Sequence, residues 1–509
     1  MKYKNLRGTA LALSILIPLL GLLPVAAQAQ DGASIEEVIV TGARGQPRTV
    51  QDSPVPVDVF NSDDLDAVAF TDTNDVLMTL VPSYSVSRQP ISDGGTFIRP
   101  ATLRGLTTDK TLVLVNSKRR HRASLVSIGG SGTQGPDVAT VPASALKSVE
   151  VLRDGAAAQY GSDAIAGVIN FILKDNAEGG SLSFDTGQYT EGDGFMSTLS
   201  GNIGLPLGDS GFFSLSGEIS TQEDTVRAEQ YCQSWACLDS SDPDFLSGGS
   251  FDTTLAGYSD AAYAAGLATA SLTGDGSVVQ PWGQPNADAQ RLFFNAGYDI
   301  DNGAELYAFG NYSASEADGG FFYRYAGNGT IEDIRLEDGS LYSFLEIFPG
   351  GFTPNFSGDI TDMSLLGGIR GDFGESSFYD FSIRTGSNEI QYTLANTVNP
   401  SLGNETPTSF RPGDLINEEL QIQLDFTTEY DAGGYSPLVF AYGLSYMDES
   451  YEVVEGEEAS YIDGPYAGAD PWDFCDAMAP TAAGLAVIGA GSTLDCADAD
   501  DAVYRVISS

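Results

Sequence analysis

From about residue 179 onward, hydrophobic and polar residues alternate along the chain with a period of two. Phe195, Leu199 and Ile203 fall on one face of such a segment, and Thr198 and Asn202 fall on the other. A period of two predicts a β-strand with one apolar and one polar face. The pattern recurs up to Val453, which predicts about nine strands of about ten residues or more.

The connections between these predicted strands alternate in length. Short turns such as Pro206–Gly211 and Asp301–Gly303 are followed by long, acidic connections. A soluble β-sandwich is the alternative, but it does not need a long acidic loop at every second connection. Apolar faces combined with short and long connections favour an outer-membrane β-barrel.

Residues 51–178 have a different pattern, which predicts a small α+β domain. Strands are predicted over 54–60, 111–115, 148–153 and 166–173. A short helix is predicted after Ser62 as N-cap, and a second helix is predicted from Asp72 or Thr73 to Pro82.

The first 29 residues have the order of an export signal. Lys2, Lys4 and Arg7 precede an apolar run, and the small residues Ala27 and Ala29 follow it. We therefore predict a signal peptide over residues 1–29, in preference to a membrane anchor, because the run is short and contains two prolines.

Composition excludes several functions. The chain has 24 basic and 70 acidic residues and a net charge of −46, which would repel nucleic acid. With a single histidine, His121, outside any catalytic motif, we expect no enzyme activity and no cofactor. Because three basic residues adjoin His121, we predict that it is a solvated surface residue, with a role as a ligand or a switch as the alternative.

The four cysteines fall into two local pairs, Cys232 with Cys237 and Cys475 with Cys496. In an exported chain two disulfides are the expected state, and a metal site is the weaker alternative. Acidic runs at 239–244 and 498–501 leave calcium binding open, although they lack EF-hand spacing. We predict no metal site.

Three stretches resemble TonB-dependent outer-membrane receptors. Residues 35–42 (IEEVIVTG) look like a TonB box, and residues 99–106 with 112–122 are similar to the plug of one large subgroup. Residues 149–155 and 160–170 resemble the end of that plug. The subgroup usually has glycine where this chain has Ser117, at a hairpin turn that favours positive φ.

The resemblance implies a domain order and a mechanism. The TonB box and linker would occupy residues 30–50, the plug domain 51–178 and a partial barrel 179–509. In the family, a barrel of usually 22 strands encloses the plug, sits in outer-membrane lipid and is inserted by the barrel assembly machinery. TonB pulls on the plug with energy from ExbB and ExbD, and a small-molecule cargo enters.

The resemblance also implies roles for particular residues. Glu37, Val38, Ile39, Val40 and Thr41 would bind TonB through strand addition. Glu150 and Arg153 would form a charged lock against the barrel wall, with an exposed ion pair as the alternative. The residues expected to contact the cargo lie in two plug loops and are Arg88, Gln89, Ser127 and Gln134.

The expected activity is active import of a scarce solute, either a ferric siderophore or an oligosaccharide. The alternatives are a receptor fragment without transport and a passive pore or adhesin. Because nine strands are too few for the family's barrel, we expect the chain to be part of a longer protein.

Overall fold

A computed structural model describes residues 39–40, 48–49, 56–68, 70–86, 93–127, 132–153, 160–228, 281–300, 303–324, 334–348, 351–374, 376–431, 433 and 438–507. All of them belong to one unit, Ile39–Ser509. The predicted signal peptide lies outside these residues. So do several predicted functional residues, namely Glu37, Val38, Thr41, Arg88, Gln89, Cys232 and Cys237.

The plug domain contains a mixed five-stranded sheet. Its strands, in spatial order, are β3 (Val57–Asn61), β8 (Leu146–Leu152), β9 (Gly167–Leu173), β6 (Thr111–Val115) and β7 (Lys118–Arg119). Only the β6–β9 pair is parallel within this sheet. Two-residue strands form separate pairs, β1 (Ile39–Val40) with β2 (Arg48–Thr49) and β4 (Tyr84–Ser85) with β5 (Thr102–Leu103).

Two helices of the plug domain pack beside this sheet. Helix α1 (Ser62–Asp66) is capped by Asn61, so the prediction of Ser62 as N-cap is wrong. Asn61 and Asp64 each accept a hydrogen bond from the other's backbone NH, a reciprocal capping box that holds the first turn. Asp72 caps helix α2 (Thr73–Leu80), so the first of the two predicted capping residues, Asp72 and Thr73, is confirmed.

Within the described residues, nine strands form one antiparallel sheet in sequence order. They are β10 (Gly180–Gly187), β11 (Met196–Leu207), β12 (Gly211–Gln222), β13 (Asn286–Ile300), β14 (Ala304–Gly320), β15 (Asn355–Asp372), β16 (Ser377–Ala395), β17 (Ser409–Tyr430) and β18 (Leu438–Glu455). The predicted number of strands and the predicted mainly β fold are therefore confirmed for this part of the chain.

The two faces of the large sheet differ as the alternation predicts. On β13, Leu292 is 47% exposed and faces outward, while Asn295 and Phe293 are buried on the inner face. The short connections from β11 to β12, β13 to β14, β15 to β16 and β17 to β18 join strands at one end of the sheet, and the long connections join them at the other. This is the arrangement expected when the outer face meets lipid.

The inner face of the large sheet packs on the plug domain, and we call this nine-stranded sheet, β10 to β18, the wall. One buried cluster joins plug residues such as Val113 and Phe171 to Phe293, Tyr307 and Leu366 of the wall. Burial of this shared apolar surface holds the two parts together. None of the helices in the described residues has the length and apolar character of a membrane-spanning helix.

Beyond β18 the chain forms a small disulfide-linked substructure, which we call the cap (residues 457–507). It contains β19 (Cys475–Asp476), β20 (Ala479–Pro480) and helix α3 (Ala482–Gly489), and Cys475 is bonded to Cys496. Arg335, from the β14–β15 connection, forms a buried ion pair with Asp501 at 2.7 Å. The cap therefore rests on another long connection of the same end.

Short 3-10 helices occur in the connections of both domains. They span Asp93–Thr96, Thr108–Lys110, Val138–Thr140, Ala143–Ala145, Ser162–Ala164, Phe344–Glu346, Pro400–Glu405, Glu458–Ser460, Pro465–Ala467 and Ala502–Tyr504.

Candidate functional site: the contact between plug and wall

A tight hairpin between β6 and β7 points a basic segment at the wall. Its turn residues Asn116 and Ser117 have φ of 46° and 65°, the signs of a type I′ turn. The Ser117 backbone NH donates to Asn170 Oδ1 at 2.9 Å, which ties the turn to β9. Ser117 thus has a positive φ, a conformation that favours glycine.

The strongest contact centres on one carboxylate of the wall, Asp362 on β15, which is buried. Arg120 and His121 of the plug both bind it, with His121 Nε2 at 2.9 Å. The wall residues Asn311 and Asn388 also donate to it, at 2.8 and 3.0 Å. We call these five residues the Asp362 cluster. Its charges are paired and hydrogen-bonded, the condition under which buried charge is tolerated.

Neighbouring residues of the basic segment extend this contact. Lys118 Nζ lies 2.9 Å from Asp380 of the wall. The Arg122 backbone NH donates to Glu419 at 2.8 Å, and the Arg122 guanidinium lies 3.5 Å from Glu449. Lys118 Nζ also lies 4.0 Å from Asp425, so residues 118, 120, 121 and 122 meet five acidic side chains on β15 to β18.

His121 is only 1% exposed, so the prediction of a solvated surface residue is wrong. The wall leaves room for its ring at Gly386, where an added Cβ would lie 2.6 Å from the imidazole. Burial lowers the pKa of His121, with the Asp362 carboxylate opposing this effect and Arg120 adding to it. The imidazole is therefore neutral and donates from Nε2 to Asp362.

The predicted charged lock sits elsewhere in the plug domain. Glu150 is buried and accepts a hydrogen bond from Asn170 Nδ2 at 2.9 Å. Arg153 is half-exposed and pairs with Asp58 of β3. The role of Glu150 and Arg153 as a lock stays a prediction, and the contacts with Asp362 were missed by the sequence analysis.

Arg99, the first residue of the second family-like stretch, braces the plug from within. It binds Asp72, the N-cap of α2, and its backbone NH donates to Asp137 at 3.2 Å. Burial raises the pKa of Asp137 to about 6, against the lowering effect of Arg99. This cluster fixes helix α2 relative to the chain that enters β5.

Two of the predicted cargo contacts are described. Ser127 forms an isolated bridge with Thr133, and Gln134 Nε2 donates to the Ala123 carbonyl at 3.2 Å. Gln134 also lines a cavity of about 930 Å³ between the plug and strands β16 to β18. Lys118, Arg122 and Asp425 line the same cavity, so the lining of the cavity carries both positive and negative charge.

An aromatic group lies where the plug meets the wall toward the long connections. Phe97 of the plug is 5.7 Å from Phe356, which stacks on Tyr392 at 4.9 Å, measured between ring centroids. Gly94 of the plug fits beside the Tyr392 hydroxyl, since an added Cβ would lie 2.2 Å from it. Sequence reasoning missed this contact, because nothing in the pattern pairs residue 97 with residue 356.

The segment that resembles a TonB box forms a strand where it is described. Ile39 pairs with Thr49 and Val40 with Arg48 in an antiparallel bridge. The box residues are thus able to adopt the extended conformation that strand addition requires.

The remaining site predictions concern cysteines and metals. The predicted Cys475–Cys496 disulfide is formed, while the Cys232–Cys237 pair lies outside the described residues. In the described ranges, no group of three or more histidine, cysteine or acidic residues could hold a metal ion.

One domain of the chain matches a known domain family. Residues 49–168 match the family model of the TonB-dependent Receptor Plug Domain. The Iron-regulated outer membrane virulence protein of Vibrio cholerae is 32% identical over 161 residues, which cover 31% of this chain and 23% of that protein. The Probable TonB-dependent siderophore receptor PirA of Acinetobacter baumannii is 39% identical over 115 residues, covering 21% and 15%.

Solved structures have the same fold. The siderophore receptor PirA from Acinetobacter baumannii superposes with a TM-score of 0.50 at 18% identity, over 79% of this chain and 49% of that one. The ferric enterobactin receptor PfeA from Pseudomonas aeruginosa gives 0.50 at 15% identity, over 79% and 50%. The chain therefore spans about half the length of these structures.

The predicted resemblance is therefore confirmed. Residues 49–168 form a domain of the TonB-dependent receptor plug family, and the Vibrio cholerae relative is named as an outer membrane protein. This family consists of receptors and transporters, which agrees with the prediction that the chain is not an enzyme.

Proposed function

We propose that this chain supplies the plug and part of the barrel wall of an energy-coupled outer-membrane importer. The observation that carries the proposal is the Asp362 cluster, in which Arg120 and His121 of the plug meet a carboxylate on the inner face of a membrane-type sheet. An element fixed there obstructs the interior of the wall. Transport then requires that the element be moved.

The energetics of the cluster explain why an external energy source is needed. Separating a buried, hydrogen-bonded ion pair leaves uncompensated charge and costs about 3–5 kcal/mol. Without another energy source, the binding energy of the cargo would have to offset that cost and also the loss of the apolar contacts between the plug and the large sheet. We infer that TonB, driven through ExbB and ExbD, supplies the difference by pulling on residues 37–41.

TonB would attach by adding a strand to the box. Val38, Ile39 and Val40 are β-branched, which suits an extended segment that pairs with the edge of a partner's sheet. The β1–β2 bridge at Ile39 and Val40 supports this role, because it uses the same backbone groups. Glu150 and Arg153 are proposed to act as a charged lock that holds the plug against the barrel wall until the pull is transmitted.

The cargo is proposed to be a ferric siderophore or a similar scarce solute. Curated relatives of the plug include a TonB-dependent siderophore receptor and the Vitamin B12 transporter BtuB of Photobacterium profundum, 30% identical over 193 residues. An oligosaccharide is the alternative. Arg88, Gln89, Ser127 and Gln134 are the proposed contacts, and the mixed charges around Gln134 suit a polar cargo.

Uptake by energised cells tests the proposal. Cells that express the gene for this chain would be given radiolabelled ferric chelates or oligosaccharides, with and without a protonophore. Val40→Pro removes a strand hydrogen bond and should abolish uptake, while Val40→Thr keeps the β-branch and should preserve it. Uptake that survives both Val40→Pro and the protonophore would instead indicate a passive pore.

A further inference from the structure

The cap exposes an unusually apolar surface. The fifteen residues 477–491 contain no charged side chain, and Thr481 is the only polar residue among them. The described side chains include Met478 at 70%, Leu485 at 60% and Ile488 at 37% exposure. Isolated exposed apolar residues are common, but a contiguous group rimmed by polar residues marks an interaction site. We call residues 477–491 the apolar face.

Thr481 does not make this face polar. Its Oγ donates to the Asp473 carbonyl at 2.6 Å and accepts from the Gly484 NH at 3.1 Å, where it caps α3. Both interactions are internal to the cap. A partner that covers the apolar face therefore meets side chains with no hydrogen-bonding demand.

The apolar face is held rigidly from below. The Cys475–Cys496 bond closes the segment that contains it, and Tyr504 donates to the Ala477 and Cys496 carbonyls, both at 2.8 Å. The Asp470 carboxylate accepts from the backbone NH of Phe474 and of Cys475, both at 2.8 Å. A surface fixed in this way loses little conformational entropy on binding, which favours its use as a docking surface.

The rim of the apolar face is acidic. Residues 457–507 carry ten carboxylates and a single basic residue, Arg505. Asp476 lies directly across the β19–β20 pair from Ala479, and Asp473 adjoins the start of α3 through its carbonyl. Both aspartates are exposed. The charge that complements this rim is positive.

We propose that the apolar face and its acidic rim form a docking site for a cationic amphipathic segment of a partner protein. Apolar side chains of the partner cover Met478, Leu485 and Ile488, and its lysines or arginines face Asp473 and Asp476. A second copy of this chain would bring the same acidic rim against itself, and anionic lipid would meet the same repulsion. Charge complementarity therefore selects a basic polypeptide.

A synthetic peptide tests the site without knowledge of the natural partner. The full chain in nanodiscs of zwitterionic lipid would be titrated with a fluorescent amphipathic helix of leucine and lysine, and empty nanodiscs would give the background. We expect saturable binding that weakens at least about tenfold in Met478→Ser/Leu485→Ser, because both side chains would be buried in the complex. Phe373→Ser is the matched control, since Phe373 is 72% exposed on a short turn at the opposite end of the sheet.

Two further measurements separate this proposal from its competitors. Asp473→Asn/Asp476→Asn should weaken binding and reduce its salt dependence, because the screened charges are removed. Equal binding of a leucine–glutamate helix, or unchanged binding by Met478→Ser/Leu485→Ser, would overturn the proposal. So would dimerisation of the chain that Met478→Ser/Leu485→Ser abolishes. None of these outcomes depends on TonB, so the proposed transport function is tested separately.

Discussion

His121 of the plug lies 2.9 Å from Asp362 of the barrel wall, although 241 residues separate them in the chain. The imidazole is buried and donates from Nε2 into a carboxylate that also binds Arg120. One residue of the wall, Asp362, therefore binds two consecutive side chains of the plug. This contact fixes the position of the plug against the wall. Substitutions in it therefore give specific tests of how the plug is held.

Removing the charge of Asp362 should loosen the plug. In Asp362→Asn, Arg120 loses its buried counter-ion, and we expect the opening free energy of β6 to fall by about 3 kcal/mol or more. Hydrogen exchange of residues 111–115 in the full chain measures that energy.

The matched control for Asp362→Asn is Glu305→Gln. It breaks the Glu305–Arg370 pair, which lies within the wall and is more exposed. We expect the exchange of residues 111–115 to stay near the wild-type rate in this control. Equal effects of the two substitutions would contradict a specific role for Asp362.

The ring of His121 should be displaced by a single methyl group on the wall. In Gly386→Ala the added Cβ would lie 2.6 Å from the imidazole, so the ring or the strand has to shift. We expect faster hydrogen exchange in residues 118–124 of the plug and unchanged exchange in the part of β16 that is remote from Gly386. Gly367→Ala is the control, because a Cβ at Gly367 meets nothing within 4 Å.

Replacing Ser117 by glycine should increase the stability of the β6–β7 hairpin. Ser117 has a φ of 65°, a conformation that glycine adopts without the steric penalty of a Cβ. Ser117→Gly should stabilise the β6–β7 hairpin by up to about 1 kcal/mol, because the cost of a Cβ at positive φ, about 1–2 kcal/mol, exceeds the extra backbone entropy that glycine loses, about 0.5–1 kcal/mol. Hydrogen exchange of β6 measures the gain. Ser117→Ala keeps the Cβ, and a gain as large as that of glycine would refute the argument from φ.

Acidification should weaken the plug through His121. The pKa of His121 is lowered by burial, so the unfolded chain, with a pKa of 6.5, binds more protons. The contribution of His121 is fully present above about pH 6.5 and is lost as the pH falls toward its folded pKa. Hydrogen exchange of the plug measured between pH 7 and pH 5, at matched intrinsic rates, reports the loss.

A neutral substitute isolates this effect from Asp137. The pKa of Asp137 is raised to about 6, so its contribution runs the other way, present below 3.8 and lost as the pH rises through 6. The difference between wild type and His121→Gln cancels Asp137. The stability advantage of wild type over His121→Gln should shrink as the pH falls below 6.5, and a difference independent of pH would rule out titration of His121.

Periodicity explains how much of the fold could be read from the sequence. Alternating residues such as Leu292 and Phe294 indicate which face of the sheet is apolar, so the number of strands was predictable. The N-cap of α1 was less predictable, because Asn61 and Ser62 are both good N-caps. Only the carboxylate of Asp64, which completes the capping box with Asn61, decides between them.

The site was less predictable than the fold, because its partners are remote in sequence. Nothing local to His121 reveals Asp362 or the space at Gly386. One signal was present in the sequence: Asp362 lies on the inward-facing half of its strand, between Ile360 and Ser364. A run of basic residues in a chain of net charge −46 needs such an acidic partner.

Binding of the periplasmic domain of TonB to the full chain shows whether residues 37–41 couple it to TonB. We expect saturable binding that Val40→Pro abolishes and Val40→Thr retains, because the contact is a strand added to residues 37–41. If Val40→Pro binds TonB as well as the wild type, or if the wild type does not bind it, the chain is not coupled to TonB through this segment and the import mechanism proposed for it is wrong.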